Sequence, residues 1–122
     1  MRNSRNQLVG EWGEGVAASF LAGKGFEIID RNFRTPFGEI GLIVQKEGLI
    51  VLVEVKTRTS KKFGMPENAI TLLKKSHMRD SAEYYLGTLS CDPTEVRADV
   101  ISILAKPDLS EYHLEWFENA TA

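Results

Sequence analysis

The sequence predicts an α/β fold, a mixed β-sheet flanked by helices, with elements in the order α-β-β-β-α-β and a further strand at the end. Three observations carry this. An amphipathic helical stretch opens the chain, a very short turn joins two apolar strands, and the second of those strands is apolar on both faces where it begins. In the first stretch Leu8, Trp12, Val16 and Phe20 recur every four residues, with Val9, Ala17 and Leu21 beside them, which predicts a helix with a broad apolar face. Gly23 and Gly25 predict its end, since glycine accepts the left-handed conformation common at helix C-termini. Phe26 to Phe33 reads as a first strand and Pro36-Phe37-Gly38 as a turn.

A second strand follows from about Gly38 to Gln45 and a third from about Leu49 to Arg58, with Lys46-Glu47-Gly48 turning the chain between them. So short a connection makes the pair antiparallel. Side chains alternate across a sheet, so Ile50, Leu52, Glu54, Lys56 and Arg58 share one face of the third strand. Leu49, Val51, Val53, Val55 and Thr57 share the other. With both faces apolar at one end, this strand is expected at the centre of the sheet. After a polar loop over residues 59–66, a long helix is expected from about Glu67 to Leu86, with Ile70, Leu73, His77, Ser81 and Tyr84 on its inner side. Residues 87–94 read as a loop, Glu95 to Ala105 as a fourth strand and Tyr112 to Phe117 as a fifth. No repeat, low-complexity tract or linker interrupts residues 1–122, which read as a single domain.

The composition is that of a globular protein, 43% hydrophobic and 26% charged, with a formal net charge of −2. The near-neutral total hides an uneven distribution. Between Lys56 and Arg79 lie seven basic residues against the single acidic Glu67, whereas residues 108–118 carry acidic side chains and no Lys or Arg. Cys91 is the one cysteine, which excludes an intrachain disulfide and Cys-rich zinc sites. The N-terminus has no apolar core of a signal peptide, and the longest apolar run, residues 49–53, is far too short to span a membrane. A cytoplasmic protein with no membrane partner is the expectation.

The chemistry concentrates at the polar end of the third strand. Glu54 and Lys56 point the same way, roughly 7 Å apart by the usual rise per residue. A carboxylate and an ammonium at the edge of an apolar sheet suit metal-assisted hydrolysis. The carboxylate binds Mg²⁺ or Mn²⁺ through oxygen, and the lysine positions water or stabilises developing negative charge. The same pair also suits an ordinary solvated ion pair at a strand end.

At this point the chain resembles the YraN-like family of the PD-(D/E)XK nuclease superfamily. The residues that carry the resemblance are Gly13-Glu14 with Ala17 and Leu21, Arg31-Asn32, Gly38-Glu39-Ile40 and Val53-Glu54-Val55-Lys56-Thr57-Arg58. Further on come Phe63-Gly64, Lys74, Ala82, Leu86 and Arg97-Ala98-Asp99-Val100. The resemblance implies a restriction-endonuclease-like three-layer core and an endonuclease ancestry: hydrolysis of phosphodiester bonds in DNA or RNA with Mg²⁺ or Mn²⁺. It implies Glu54 as metal ligand and Lys56 as catalytic partner. One residue departs from the pattern. The family reads Gly-Glu-Ile-Asp where this chain has Gly38-Glu39-Ile40-Gly41, so the carboxylate expected to share the metal with Glu54 is missing. Glu39 and Glu14 are the candidates to replace it, and a weakened or inactive version of the enzyme is the expectation.

Around this centre, Arg58, Lys61, Lys62 and Lys74 are the candidate contacts to a nucleic-acid backbone. Arg97 and Asp99 share a strand face and read as a structural pair, His77 as a core histidine, and Trp12, Phe20, Trp116 and Phe117 as core. Two other classes of function remain on the sequence alone: a module that holds DNA or RNA without cutting, and a protein-interaction subunit, such as a homodimer built on an exposed sheet edge.

Overall fold

The computed structural model describes residues 4–59, 72–89 and 95–120. The elements are α1 (Arg5–Gly23), β1 (Glu27–Thr35), β2 (Gly38–Lys46), β3 (Leu49–Arg58), α2 (Leu72–Leu86), β4 (Glu95–Ala105) and β5 (Tyr112–Phe117). They form one five-stranded sheet in the order β1-β2-β3-β4-β5. β3 and β4 pair in parallel and every other pair is antiparallel, so the sheet is mixed with β3 at its centre, as its two apolar faces require. The parallel pair needs a long crossover, and α2 lies within it. The β2–β3 turn has Glu47 at φ 50° and Gly48 at φ 85°, the two left-handed residues of a tight hairpin whose twist matches its strands.

Alternation along β3 sorts the core into layers. Val51 and Val53 pack with Ala17, Ala18 and Leu21 of α1, while Ile50 and Leu52 pack with Tyr85 of α2. The helices therefore cover opposite faces, giving helix, sheet and helix. This is the α/β, restriction-endonuclease-like arrangement. No described helix is long and apolar enough to cross a membrane.

The broad apolar face expected of α1 is the one it buries, with its small-residue side nearest the sheet, whereas α2 lies rotated from the expected orientation. In α1 the buried stripe is Val9, Gly13, Ala17 and Leu21, while Leu8 is 49% exposed. Trp12 and Phe20 turn sideways onto β5, with ring centroids 5.5 Å from Tyr112 and 5.7 Å from Trp116 respectively. The cause is close approach. A Cβ at position 13 would stand 1.9 Å from Thr57 Oγ1, so the small-residue stripe must face the sheet and the bulky one its flank.

In α2 the buried residues include Met78, Ser81 and Tyr85, whereas His77 and Tyr84 are exposed. His77 is thus not a core histidine. Ser81 belongs to both possible stripes, and packing decides between them: Met78 joins Ala98 and Val100, and Tyr85 meets the Phe33 ring edge-on at 5.2 Å. Ile70, the expected helix start over 67–71 and the side chains of Leu73 and Lys74 lie outside the described residues.

The structural reading of Arg97 and Asp99 holds. Arg97 Nε and Nη2 donate to the two Asp99 oxygens at 2.9 and 3.0 Å. Trp116 Nε1 and the Asn119 backbone N–H each add a donor at 2.8 Å. A fully buried carboxylate thereby pins β5 and the turn after it to β4.

Candidate functional site

β2 pairs with β1 as far as Thr35↔Gly38, but its pairing with β3 begins only at Leu42↔Val53. The two strands therefore part at the end that carries Glu39 and Gly41 on one side and Glu54 on the other. A cleft of about 80 Å³ opens there. Glu39, Glu54, Phe37, His77 and Ser81 line it. Glu54 is on its wall, and Lys56 lies next to it, 3.9 Å between Glu54 Oε1 and Lys56 Nζ, with side chains 18% and 29% exposed respectively. A pair this sheltered differs from the solvated surface pair that the sequence also allowed.

The second carboxylate arrives from α1. A Cβ built on Gly41 would lie 2.9 Å from Glu14 Oε2, so the Glu14 carboxylate rests against the bare backbone where an Asp side chain would begin. Burial raises the Glu14 pKa above its ordinary value, and the charges of Glu39 and Glu54 raise it further, against a lowering by Arg31. Glu39 and Glu54 thus both act electrostatically on Glu14, although the three come from a helix and two strands.

Asn32 links two of them. With its amide nitrogen turned toward the carboxylates, it donates to Glu14 Oε1 at 3.2 Å and to Glu39 Oε1 at 3.1 Å. Its φ of 52° breaks the regular strand, a conformation Asn tolerates better than most residues. Glu39 also faces Arg34, 3.8 Å away on the neighbouring strand.

The donor chemistry suits a hard cation. Carboxylates are its preferred ligands, and a positive charge would relieve the repulsion that holds Glu14 toward its protonated form. Among the described residues no three Asp, Glu, His or Cys side chains already stand in ligating geometry. Glu54 and Glu14 would be the holders, with Glu39 alongside; Mg²⁺ commonly takes one or two carboxylates and completes its shell with water and phosphate.

Of the expected backbone contacts, Arg58 is exposed at the end of β3, beyond Lys56. Lys61, Lys62, Phe63 and Gly64 lie outside the described residues, as does the side chain of Lys74. Sequence reasoning gave no role to Asn32, whose amide is tied to Glu14 and Glu39, or to Phe37. It also missed that His77 turns toward the cleft. Arg31-Asn32 entered only among the residues that carry the resemblance, and their closeness to Glu14 was not foreseen.

The model of the Uncharacterised protein family UPF0102 matches residues 13–103, a span from the Gly13-Glu14 pair through β4. The chain belongs to the UPF0102 family. A UPF0102 protein of Syntrophomonas wolfei is 42% identical over 106 residues, covering 87% of this chain and 92% of the relative. One from Symbiobacterium thermophilum is 44% identical over 103 residues, covering 84% and 87%. One from Thermus thermophilus is 42% identical over 108 residues, covering 88% and 92%. This is the YraN-like family expected from the residues around Glu54, and UPF0102 relatives match across the site as well as the core.

Proposed function

We propose that this UPF0102 protein processes nucleic acid by divalent-cation-dependent hydrolysis of phosphodiester bonds, with Glu14 supplying the carboxylate that position 41 lacks. The observation that carries the reading is the placement of Glu14 Oε2 against Gly41. A side chain at 41 and the present Glu14 position exclude each other, so one carboxylate stands in the space of the other. Bound Mg²⁺ or Mn²⁺ would polarise a phosphate and make water more acidic. Glu54, on the cleft wall, and Glu14, beside Gly41, would hold the cation. Lys56, sheltered beside Glu54, orients the attacking water and offsets negative charge on the phosphate. Asn32 keeps Glu14 and Glu39 turned inward. Arg58 lies at the strand end, where a phosphate backbone can follow the positive charge.

The test is Mn²⁺ calorimetry beside metal-dependent cleavage of DNA and RNA. The unmodified protein binds Mn²⁺, and both Glu54→Ala and Glu14→Gln weaken binding at least roughly tenfold, the scale on which one charged ligand matters. Gly41→Asp forces Glu14 aside and recovers or raises cleavage. Binding that ignores Glu14→Gln defeats the replacement idea. Gly41 also favours a second reading, binding without cleavage: it predicts salt-dependent affinity for nucleic acid that survives EDTA and Glu54→Ala.

A further inference from the structure

The β1–β2 turn presents Phe37 at the rim of the cleft that contains Glu54, with 43% of the residue exposed. Its position is not slack. The Phe37 backbone N–H donates to Thr35 Oγ1 at 3.1 Å. Thr35 Oγ1 donates to the Gly38 carbonyl at 2.8 Å, which leaves Ser81 Oγ to donate to Thr35 at 3.0 Å. Ser81 is a buried residue of α2. The turn is thereby tied to the opposite wall of the cleft, and Pro36 restricts the backbone just before Phe37. A rigid turn is holding an aromatic ring outward beside the site, whereas Phe33, nearby on β1, packs against Tyr85.

The cleft lies between the parted ends of β2 and β3 and α2, with Glu39 and Glu54 on its wall and Phe37 on its lining. A strand whose phosphate comes to Glu54 brings a neighbouring base close to Phe37. In a duplex that base is already stacked on its neighbours; an unpaired base has an open face to offer. We infer that Phe37 is a stacking platform for an unpaired nucleobase next to the scissile phosphate, which makes single-stranded or overhanging nucleic acid the substrate class. This rests on the nucleic-acid reading above and adds to it the strand state of the substrate.

The experiment is fluorescence anisotropy with calcium as the divalent cation. The protein, Phe37→Ala and Phe37→Trp are titrated into a labelled single strand, its blunt duplex and the same duplex with an unpaired overhang, in DNA and RNA versions. The expected result is that Phe37→Ala weakens the single strand and the overhang roughly tenfold or more, the loss of one base stack, and leaves the blunt duplex within about twofold. Phe37→Trp keeps the affinity, and its added indole fluorescence is quenched by the single strand. Equal losses on all three probes, or none, overturn the inference and leave the nucleic-acid reading standing. Unchanged binding with a smaller particle by light scattering shows that Phe37 meets a second copy of this chain, which also overturns it. No binding of the unmodified protein to any probe overturns the nucleic-acid reading itself.

Discussion

Two carboxylates in this protein meet opposite fates. Asp99, on β4, is fully buried and accepts hydrogen bonds from Arg97, Trp116 and Asn119. Glu14, on α1, is only partly buried and stands against Glu39 and Glu54, with the Asn32 amide as its donor and Arg31 as the opposing charge. The first is satisfied on every side and serves the fold. The second is held where its charge is disfavoured. Stable packing does not produce such crowding by preference; it persists where it has a use, such as gathering a cation. The two acids differ in their surroundings more than in residue type or motif.

The largest effect that can break this contrast is at Asp99. Asp99→Ala leaves Arg97 partly buried without its bidentate partner and removes the acceptor for Trp116 and Asn119. It should cost about 3–5 kcal/mol, the range for breaking a buried ion pair, in urea denaturation followed by tryptophan fluorescence. A loss below about 1 kcal/mol would place Asp99 with ordinary surface pairs and remove the contrast. Next in size is the contact that brings α1, and Glu14 with it, down onto β3. Gly13→Ala should cost about 1–3 kcal/mol through overpacking against Thr57. Thr57→Val should be neutral or stabilising, because Thr57 Oγ1 is a buried oxygen with no hydrogen-bond partner among the described residues. A Gly13→Ala protein that unfolds at the same urea concentration would mean that α1 can lift from the sheet, and that Glu14 is not fixed.

The strands were legible because their signals are local. Leu49 to Arg58 has two apolar faces at its start, a two-residue hairpin before it and charge at its end, and each feature depends on neighbours in sequence. Helix rotation was less legible because it depends on partners far along the chain. Nothing between Leu8 and Leu21 says that Thr57 will press on Gly13, so the pattern shows a broad apolar face without saying which edge of it lies deepest. In α2, Ser81 fits two stripes, and only Ala98, Val100 and Phe33 choose between them. Glu54 and Lys56 were legible because one strand carries both. The site as a whole was not, since Glu14 meets Gly41 through the packing of α1, and Asn32 reaches it through a single left-handed residue inside β1.

The smallest effect gives the finest test, because its sign changes with conditions. Burial and the neighbouring carboxylates raise the Glu14 pKa in the folded state above the ordinary value of 4.5. A carboxyl raised in this way stabilises the fold below its unfolded pKa, and that contribution is lost as pH rises through the folded value. At neutral pH the protein therefore bears the repulsion in full. Glu14→Gln should then raise stability by less than ~1 kcal/mol at pH 7, solvent screening keeping the gain small, and the gain should fade below pH 4.5. Mn²⁺ should reverse the order. A cation that binds only the folded state stabilises it by mass action, so saturating Mn²⁺ should raise the melting temperature of the unmodified protein more than that of Glu14→Gln. If Glu14→Gln is destabilising at neutral pH without metal, Glu14 is a structural acid like Asp99. If the two proteins respond equally to Mn²⁺, the crowding of carboxylates at Gly41 serves something other than a cation.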